Sequence, residues 1–190
     1  MPPSTTLLLP LFLKVAGRDV LVVGAGEVAR AKIAALLDAG ARVRVVAPGA
    51  VEAVRAWATE GRIVWAERPF EGGDLDGAWL VFAATSEAAV QAAVGREADA
   101  RRVFCVAVDD PANASAYSGA VVRRDPFLVA ISSSGAAPAL TRLVREVLEH
   151  VLPEDRWVER AKELRAKWMA EKTPMGGRFA ELVRAIAREE

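Results

Sequence analysis

The chain has 190 residues, of which 53% are apolar and 26% charged, and its 25 basic side chains balance 25 acidic ones. This composition is typical of a globular protein with its own apolar core, and it argues against sequence-independent nucleic-acid binding, which needs an excess of positive charge. A single cysteine, Cys105, excludes a disulfide framework and, with a single histidine, a zinc site of the usual Cys/His kind.

The chain begins with an apolar stretch that Pro10 divides and Lys14 ends. It lacks the basic leader of a signal peptide and the roughly 18 consecutive apolar residues of a membrane span, so we predict a cytoplasmic protein with no membrane partner. Residues 11–15 are joined to the next segment by Ala16-Gly17-Arg18 and are predicted to add an edge strand to the sheet that follows.

Strand-like and helix-like segments then alternate as far as Ala107. Short apolar, β-branched runs predict strands at 19–23, 43–47, 62–65, 79–84 and 103–108. Apolar residues at helical spacing predict helices at about 29–37, 50–60 and 87–100. Alternating elements of this length predict an α/β fold, a parallel sheet with helices on both faces.

The pattern changes after Asn113. Residues 119–123 and 127–132 are predicted to pair as a hairpin, and a helix follows from Pro138 until Pro153 ends it. The tail is helical by pattern, with a break at 173–177. We therefore predict three parts: an α/β domain at 1–112, a β-plus-helix region at 113–152 and a helical C-terminal domain at 153–190.

A glycine-rich turn follows the first strand of the predicted sheet. Gly24-Ala25-Gly26-Glu27-Val28-Ala29 is a G-x-G-x-x-A motif between a strand and a helix. In such a motif the first glycine permits a tight turn, the second lets a pyrophosphate approach the backbone, and the helix N-terminus favours the anion. The motif predicts dinucleotide binding by a Rossmann-type sheet, with a simple strand-turn-helix corner as the alternative.

One element of the general dinucleotide fingerprint is missing. An acidic residue usually follows the second strand and holds the ribose, whereas here that strand ends in Val45-Val46-Ala47-Pro48-Gly49. The choice between NAD and NADP therefore stays open, since Arg42 and Arg44 lie within the strand.

Asp109 is the first residue past the carboxyl end of the strand at 103–108. A cofactor lies across that edge of an open parallel sheet, so a carboxylate there faces the nicotinamide and can act as a general base. Turn formation is the commoner use of Asp before Pro. Two neighbouring acids leave room for both, Asp110 in the turn and Asp109 in the chemistry.

The serines that precede the helix at Pro138, together with nearby arginines, form a second candidate anion site. Ser132-Ser133-Ser134-Gly135 are equally explained by helix N-capping. The arginines close by are Arg123, Arg124, Arg142 and Arg145. Spacings of i,i+4 to Glu146 and Glu149 also fit a solvated helix face.

Two long segments resemble the precorrin-2 dehydrogenase, or siroheme synthase N-terminal, family. They are "LPLFLKVAGRDVLVVGAGEVARAKIAALLDAGARVRVVAP" and "FCVAVDDPANASAYSGAVVRRDPFLVAISSSGAAPALTRLVREVLE", and the resemblance covers residues 9–153. It implies NAD-dependent oxidation of precorrin-2, a carboxylate-rich tetrapyrrole, to sirohydrochlorin, with no metal required. It also implies a homodimer built largely through residues 113–150.

The resemblance assigns roles to residues of this chain. It implies that Asp109 is catalytic. The implied cofactor contacts are Gly24, Gly26, Glu27, Val28, Ala47, Pro48 and Thr85. The implied tetrapyrrole contacts are Ser132, Ser133, Ser134 and Gly135, with Arg123, Arg124 and Arg142 as partners for its carboxylates.

Two alternative functions stay open. The first is a bifunctional enzyme that adds Fe²⁺ insertion in the same pocket to the dehydrogenase reaction, because some members of the family do both. A non-enzymatic NAD-sensing module is the other alternative, although such modules often keep an acid after the second strand and have no use for Asp109 or the serine-rich turn.

Overall fold

The alternating first half folds as a five-stranded parallel sheet in the computed structural model, which describes residues 7–152 and 155–187. The strands are β1 Asp19–Val23, β2 Arg42–Val46, β3 Ile63–Ala66, β4 Leu80–Ala83 and β5 Phe104–Ala107. Their order across the sheet is β3-β2-β1-β4-β5, and every neighbouring pair is parallel. The predicted α/β fold is confirmed.

Three helices cover the two faces of this sheet: α1 Glu27–Asp38, α2 Glu52–Thr59 and α3 Ala88–Ala100. On one face, Ile33 of α1 and Val54 of α2 are buried in the same apolar cluster as the strand residues that point towards them. On the other face, Val94 of α3 and Leu75 of a short 3-10 turn pack with β-strand residues such as Val81. The two central strands β1 and β4 bury both sides, which explains their continuous apolar runs.

The strand order contains one switch point. The chain runs outward from β1 through β2 to β3, and then returns to place β4 and β5 on the other side of β1. Connections leaving the carboxyl ends of β1 and β4 therefore run to opposite faces of the sheet. A crevice forms between these two connections, and it is the usual place for a ligand in an open α/β sheet.

The predicted edge strand at residues 11–15 is wrong, since no strand forms there. Both sides of β1 are already paired, with β2 and with β4, and the linker Ala16-Gly17-Arg18 is too short to reach a free edge of the sheet. A turn forms instead, in which the Arg18 N–H donates to the Val15 carbonyl at 2.9 Å. The Val15 side chain joins the core beneath α1.

The second half contains a hairpin and three helices. Strands β6 Ala120–Arg124 and β7 Phe127–Ile131 pair antiparallel, as predicted, and are followed by α4 Pro138–Val151, α5 Asp155–Ala170 and α6 Met175–Ile186. Trp168 of α5 is buried and its indole N–H donates to Glu181 of α6 at 2.7 Å. The predicted end of α4 at Pro153 lies outside the described residues.

Contacts divide the chain into two units between Ser118 and Gly119. Residues 114–118 belong with the sheet because the N–H groups of Ser115 and Ala116 both donate to the Cys105 carbonyl in β5, each at 2.9 Å. The division into three functional parts stays a prediction. Among the described residues, no helix is long and apolar enough to cross a bilayer.

Candidate functional site

The turn after β1 lies directly against the backbone that follows β4. Gly24 has φ +107°, and a Cβ at this position would meet the Ala84 carbonyl oxygen at 2.3 Å. The Gly24 N–H donates to the Val46 carbonyl at the end of β2, at 2.9 Å. Only glycine satisfies both the left-handed backbone and the close approach, so this residue joins the carboxyl ends of three strands.

Gly26 faces open space at the start of α1. It is the N-cap residue of that helix, no side chain caps the helix there, and a Cβ on Gly26 would meet nothing within 4 Å. The first N–H groups of a helix have no partner within the helix and carry the positive end of its dipole. The open approach and the uncapped N–H groups fit the pyrophosphate of a dinucleotide.

The residues that flank this turn have defined surroundings. Glu27 bonds its carboxylate to Arg30 at 2.6 Å, and Val28 is exposed beside it in the first turn of α1. The segment after β2 is held against the glycine turn, because the Val51 N–H donates to the Ala25 carbonyl at 3.0 Å. Ala47 and Pro48 therefore lie next to the turn.

Arg42 is occupied at the opposite, amino edge of the sheet. Its guanidinium bonds Asp19 at the start of β1, with Nη2 and Oδ2 2.7 Å apart, and this pairing lowers the pKa of the Asp19 carboxyl. The structure thus agrees with the absence of an evident ribose or 2′-phosphate ligand in β2.

Thr85 and Asp109 follow the neighbouring strands β4 and β5 at the same edge. The Thr85 hydroxyl accepts the Glu87 N–H at 3.2 Å, which forms the turn before α3. Asp109 is exposed, adopts φ +57° and makes no hydrogen bond or ion pair with any residue that the structure describes. Its carboxylate is therefore free to accept a proton from a bound molecule.

Asp110 has a different role from its neighbour. Its carboxylate accepts the Asn113 side-chain N–H at 2.6 Å and its carbonyl accepts the Asn113 backbone N–H at 3.2 Å, which closes the 3-10 turn Pro111–Asn113. Burial raises the pKa of the Cys105 thiol to about 11, and the negative charge of the Asp110 carboxylate makes a second, smaller contribution. The turn function expected for one of the two acids thus falls on Asp110.

The serine-rich turn uses its hydroxyls internally. Ser133 Oγ accepts the Ala137 N–H at 3.1 Å and the Thr141 hydroxyl at 2.9 Å, and Ser132 Oγ accepts the Ser134 N–H at 3.1 Å. Ser134 and Gly135 have φ +53° and +80°. The N-cap of α4 is Ala137, which has no side-chain cap, so the serines shape the approach to the helix rather than cap it.

The three predicted substrate arginines differ in their surroundings. Arg142 pairs with Glu146 at 2.9 Å on the surface of α4, as its spacing indicated. Arg124 donates to the Leu152 carbonyl at 2.8 Å, joining β6 to the end of α4. Arg123 is exposed and has no polar partner within the described part of the chain, which leaves it available to an anion.

The first unit brings six of the predicted site residues and the proposed base to one edge: Gly24, Gly26, Ala47, Pro48, Thr85, Val28 and Asp109. The serine turn and the arginines lie on the hairpin and α4 of the second unit. Within residues 7–152 and 155–187, no cluster of three or more His, Cys, Asp or Glu side chains is arranged to hold a metal ion.

Gln91 of α3 is a residue at this edge that the sequence analysis missed. Its side-chain amide donates to the carbonyls of Thr85, at 2.7 Å, and Val108, at 3.1 Å. It occupies the inward-facing position one turn before Val94, and a polar residue there was the signal that the sequence offered.

The comparison with protein families decides the family. A family model described as "Putative NAD(P)-binding" matches residues 11–120, more than half of the chain. The chain belongs to this NAD(P)-binding family. The expected cofactor class is thereby confirmed, and the uncapped turn at Gly26 lies inside the matched range.

Curated siroheme synthases are similar to this chain. That of Citrobacter koseri is 42% identical over 172 residues, which are 90% of this chain and 38% of that protein. That of Escherichia coli is 45% identical over 145 residues, 76% of this chain and 32% of that protein. The resemblance to siroheme synthases is confirmed, and the chain spans less than two fifths of the length of these curated relatives.

A solved structure has the same fold. "SirC, precorrin-2 dehydrogenase" aligns with a TM-score of 0.74 over 94% of this chain and 89% of that one, at 23% sequence identity. The Rossmann-type sheet, the small antiparallel sheet and the C-terminal helices all lie within the aligned length, so the predicted fold is confirmed as a whole.

Proposed function

We propose that this protein oxidises precorrin-2 to sirohydrochlorin with NAD⁺, and that Asp109 is the general base. The observation that carries the proposal is the exposed, unpartnered Asp109 carboxylate at the edge of the sheet where the open glycine turn lies. The siroheme synthase relatives and the fold shared with a precorrin-2 dehydrogenase support the choice of substrate.

The chemistry divides between cofactor and protein. NAD⁺, when bound, supplies the acceptor for the hydride that leaves one carbon of the macrocycle. Asp109 takes the proton lost from the neighbouring position and passes it to water, so that two electrons and two hydrogens leave the substrate as a double bond forms. A general base of this kind contributes about 10²–10⁴-fold to a rate.

We propose that the backbone around Gly24, Gly26, Glu27 and Val28 binds the pyrophosphate, with Ala47, Pro48 and Thr85 along the rest of the cofactor. Since no carboxylate follows β2, main-chain groups there hold the ribose. The support is the close packing of the segment after β2 on the glycine turn. The choice of NAD rests on the family resemblance.

A carboxylate-rich substrate requires cationic side chains and hydrogen-bond donors in its binding site. We propose Arg123 as the principal carboxylate partner, because it alone of the three candidates has no polar contact within the described residues. Arg124 and Arg142 join it by exchanging their present partners, a carbonyl and Glu146. We propose Ser132, Ser133, Ser134 and Gly135 as further substrate contacts.

We also propose a homodimer. Along α4 the side chains of Leu140, Leu143, Val147 and Val151 are 57%, 55%, 52% and 63% exposed, and they form one apolar stripe at helical spacing. An apolar stripe of this length on a surface helix supports an interface between copies of the chain. Cytoplasmic location and the lack of nucleic-acid or membrane partners stay predictions.

The test is an anaerobic absorbance measurement. The protein is mixed with precorrin-2 and NAD⁺, and the spectrum of sirohydrochlorin is expected together with NADH in equal amounts. Omitting NAD⁺, or replacing it with NADP⁺, is expected to abolish or strongly slow the change. A spectrum that does not respond to NAD⁺ would rule out the proposed reaction.

Iron insertion gains no support from the comparisons, since the structural neighbour is named for the dehydrogenase alone. Sirohydrochlorin incubated with Fe²⁺, with and without the protein, tests this alternative in the same spectrometer. Equal rates in the two samples are expected.

A further inference from the structure

We infer that Gln91 is a positioning residue for Asp109, and the inference rests on the proposed function. Gln91 is the one buried polar or charged side chain among residues 7–152 and 156–187, with 8% of its surface exposed. Burying an amide is costly unless it is hydrogen-bonded, so the position calls for a specific explanation.

The two hydrogens of the Gln91 amide bridge the ends of adjacent strands. Nε2 donates to the Thr85 carbonyl after β4 at 2.7 Å and to the Val108 carbonyl after β5 at 3.1 Å. Both partners can only accept, which determines the orientation of the amide. One side chain therefore fixes both segments that we assign to the site, one carrying a cofactor contact and the other the base.

The bond to Val108 acts directly on Asp109. The Val108 carbonyl belongs to the peptide unit whose nitrogen is that of Asp109, so the bond fixes the plane from which the Asp109 side chain projects. Asp109 is in the left-handed region, with φ +57°, a conformation that residues other than glycine adopt rarely and keep where their surroundings hold it.

Other contacts hold the backbone on either side of this peptide. The Val108 N–H donates to the Ala83 carbonyl of β4 at 3.0 Å. Further along α3, Gly95 allows the turn that follows Asp110 to approach the helix, since a Cβ there would meet the Asn113 carbonyl oxygen at 2.8 Å. Helix α3 thus contacts the backbone on both sides of Asp109, and Gln91 supplies the polar contact with the peptide that precedes it.

Three variants separate positioning from stability. Gln91→Leu keeps the approximate volume and removes both donors. Gln91→Glu keeps the shape and, when protonated, one donor, whereas its ionised form repels both carbonyls. Val94→Ala, one turn further along the same buried face, creates a cavity without touching either carbonyl and serves as the destabilised control.

We expect Gln91→Leu to lower kcat at least tenfold at a temperature where the protein is folded, while Val94→Ala, with a similar loss of thermal stability, keeps kcat. The turnover of Gln91→Glu is expected to recover as the pH falls and the introduced carboxyl becomes protonated, a limb absent from the wild-type profile. In an Asp109→Asn background, Gln91→Leu should change kcat little, because both changes remove the same function.

Two results would overturn the inference while leaving the proposed reaction intact. One is full turnover by folded Gln91→Leu, and the other is a double variant with Asp109→Asn whose loss of kcat equals the product of the two single losses. If the wild-type protein does not oxidise precorrin-2, the proposed function fails instead. Crystal structures of the cofactor-free variants then decide the positioning role: Asp109 should leave the left-handed region in Gln91→Leu, or in Gln91→Glu at high pH, and an unchanged Asp109 in both would overturn it.

Discussion

Within the glycine turn, individual residues meet separate requirements, one of the fold and one of the cofactor. Gly24 is needed by the backbone: alanine there would adopt an unfavourable φ and press its methyl group against the Ala84 carbonyl. We predict that Gly24→Ala lowers the free energy of unfolding by more than about 1–2 kcal/mol, the cost of the left-handed backbone alone. Urea denaturation measures this, with Gly73→Ala, which meets no neighbour within 4 Å, as the control.

Gly26 is not required by the fold, and we propose that cofactor binding requires it. Its backbone, with φ −80° and ψ −171°, suits any residue, and aspartate is a favourable N-cap. We predict that Gly26→Asp keeps or raises the stability while it weakens NAD binding by roughly 100-fold, about 2.7 kcal/mol, because a carboxylate takes the place of the pyrophosphate. Titration calorimetry measures the affinity; unchanged binding would contradict the assignment of this turn.

Cys105 illustrates how burial controls a reactive group. Burial and the nearby Asp110 charge raise the pKa of its thiol to about 11, so the folded protein holds it protonated. We predict that a thiol reagent at pH 8 labels the native protein far more slowly than the urea-unfolded protein. Because the unfolded thiol ionises near its ordinary pKa, this group's contribution to stability is complete below about pH 9 and is lost as the pH rises towards 11. Rapid stoichiometric labelling of the native protein would contradict its burial.

At the scale of elements, the spacing of apolar residues predicted those strand bounds that depend on the local sequence. The β1 bounds agree in full, β6 is shifted by one residue at both ends, and β7 ends one residue earlier than predicted. The agreement is close because β-branched runs and turn residues carry that information. The edge strand at 11–15 failed because strand pairing depends on which edges are free, and the chain-wide order of the sheet decides that.

The candidate site shows the same division between what the local sequence predicts and what depends on the assembled sheet. Glycines and a carboxylate at strand ends are visible in the sequence, whereas the left-handed conformation of Asp109 and the bridge from Gln91 arise only when β4, β5 and α3 come together. Ser133 differs again, since it is not the N-cap of α4: its hydroxyl accepts the backbone N–H of Ala137, which is the N-cap residue, and the hydroxyl of Thr141.

The apolar stripe of α4 gives a prediction about assembly. Leu143 and Val147 are more than half exposed in the single chain, so charged replacements should cost the monomer little. We predict that Leu143→Glu with Val147→Glu converts a dimer into a monomer in light scattering coupled to size exclusion. Met169→Glu, on an equally exposed residue of α5, should leave the dimer intact. A variant that stays dimeric would remove α4 from the interface.

At the scale of the whole molecule, the strand order of the parallel sheet determines which candidate site residues lie together at its carboxyl edge. Strand order brings the turn after β1, the segment after β4 and the acid after β5 to consecutive positions along the carboxyl edge. We therefore propose that cofactor binding and proton removal depend on different residues, which substitution can separate.

The most direct measurement compares NAD affinity and turnover in Asp109→Asn. Asparagine keeps the size of the side chain and tolerates the left-handed backbone, so the change removes little besides the basic oxygen. Asp110→Asn is the matched control, since its amide oxygen still accepts from Asn113. We expect Asp109→Asn to bind NAD as the wild-type protein does and to oxidise precorrin-2 about 10²–10⁴-fold more slowly in an anaerobic assay. Turnover equal to that of the wild-type protein would contradict the assignment of Asp109 as the base.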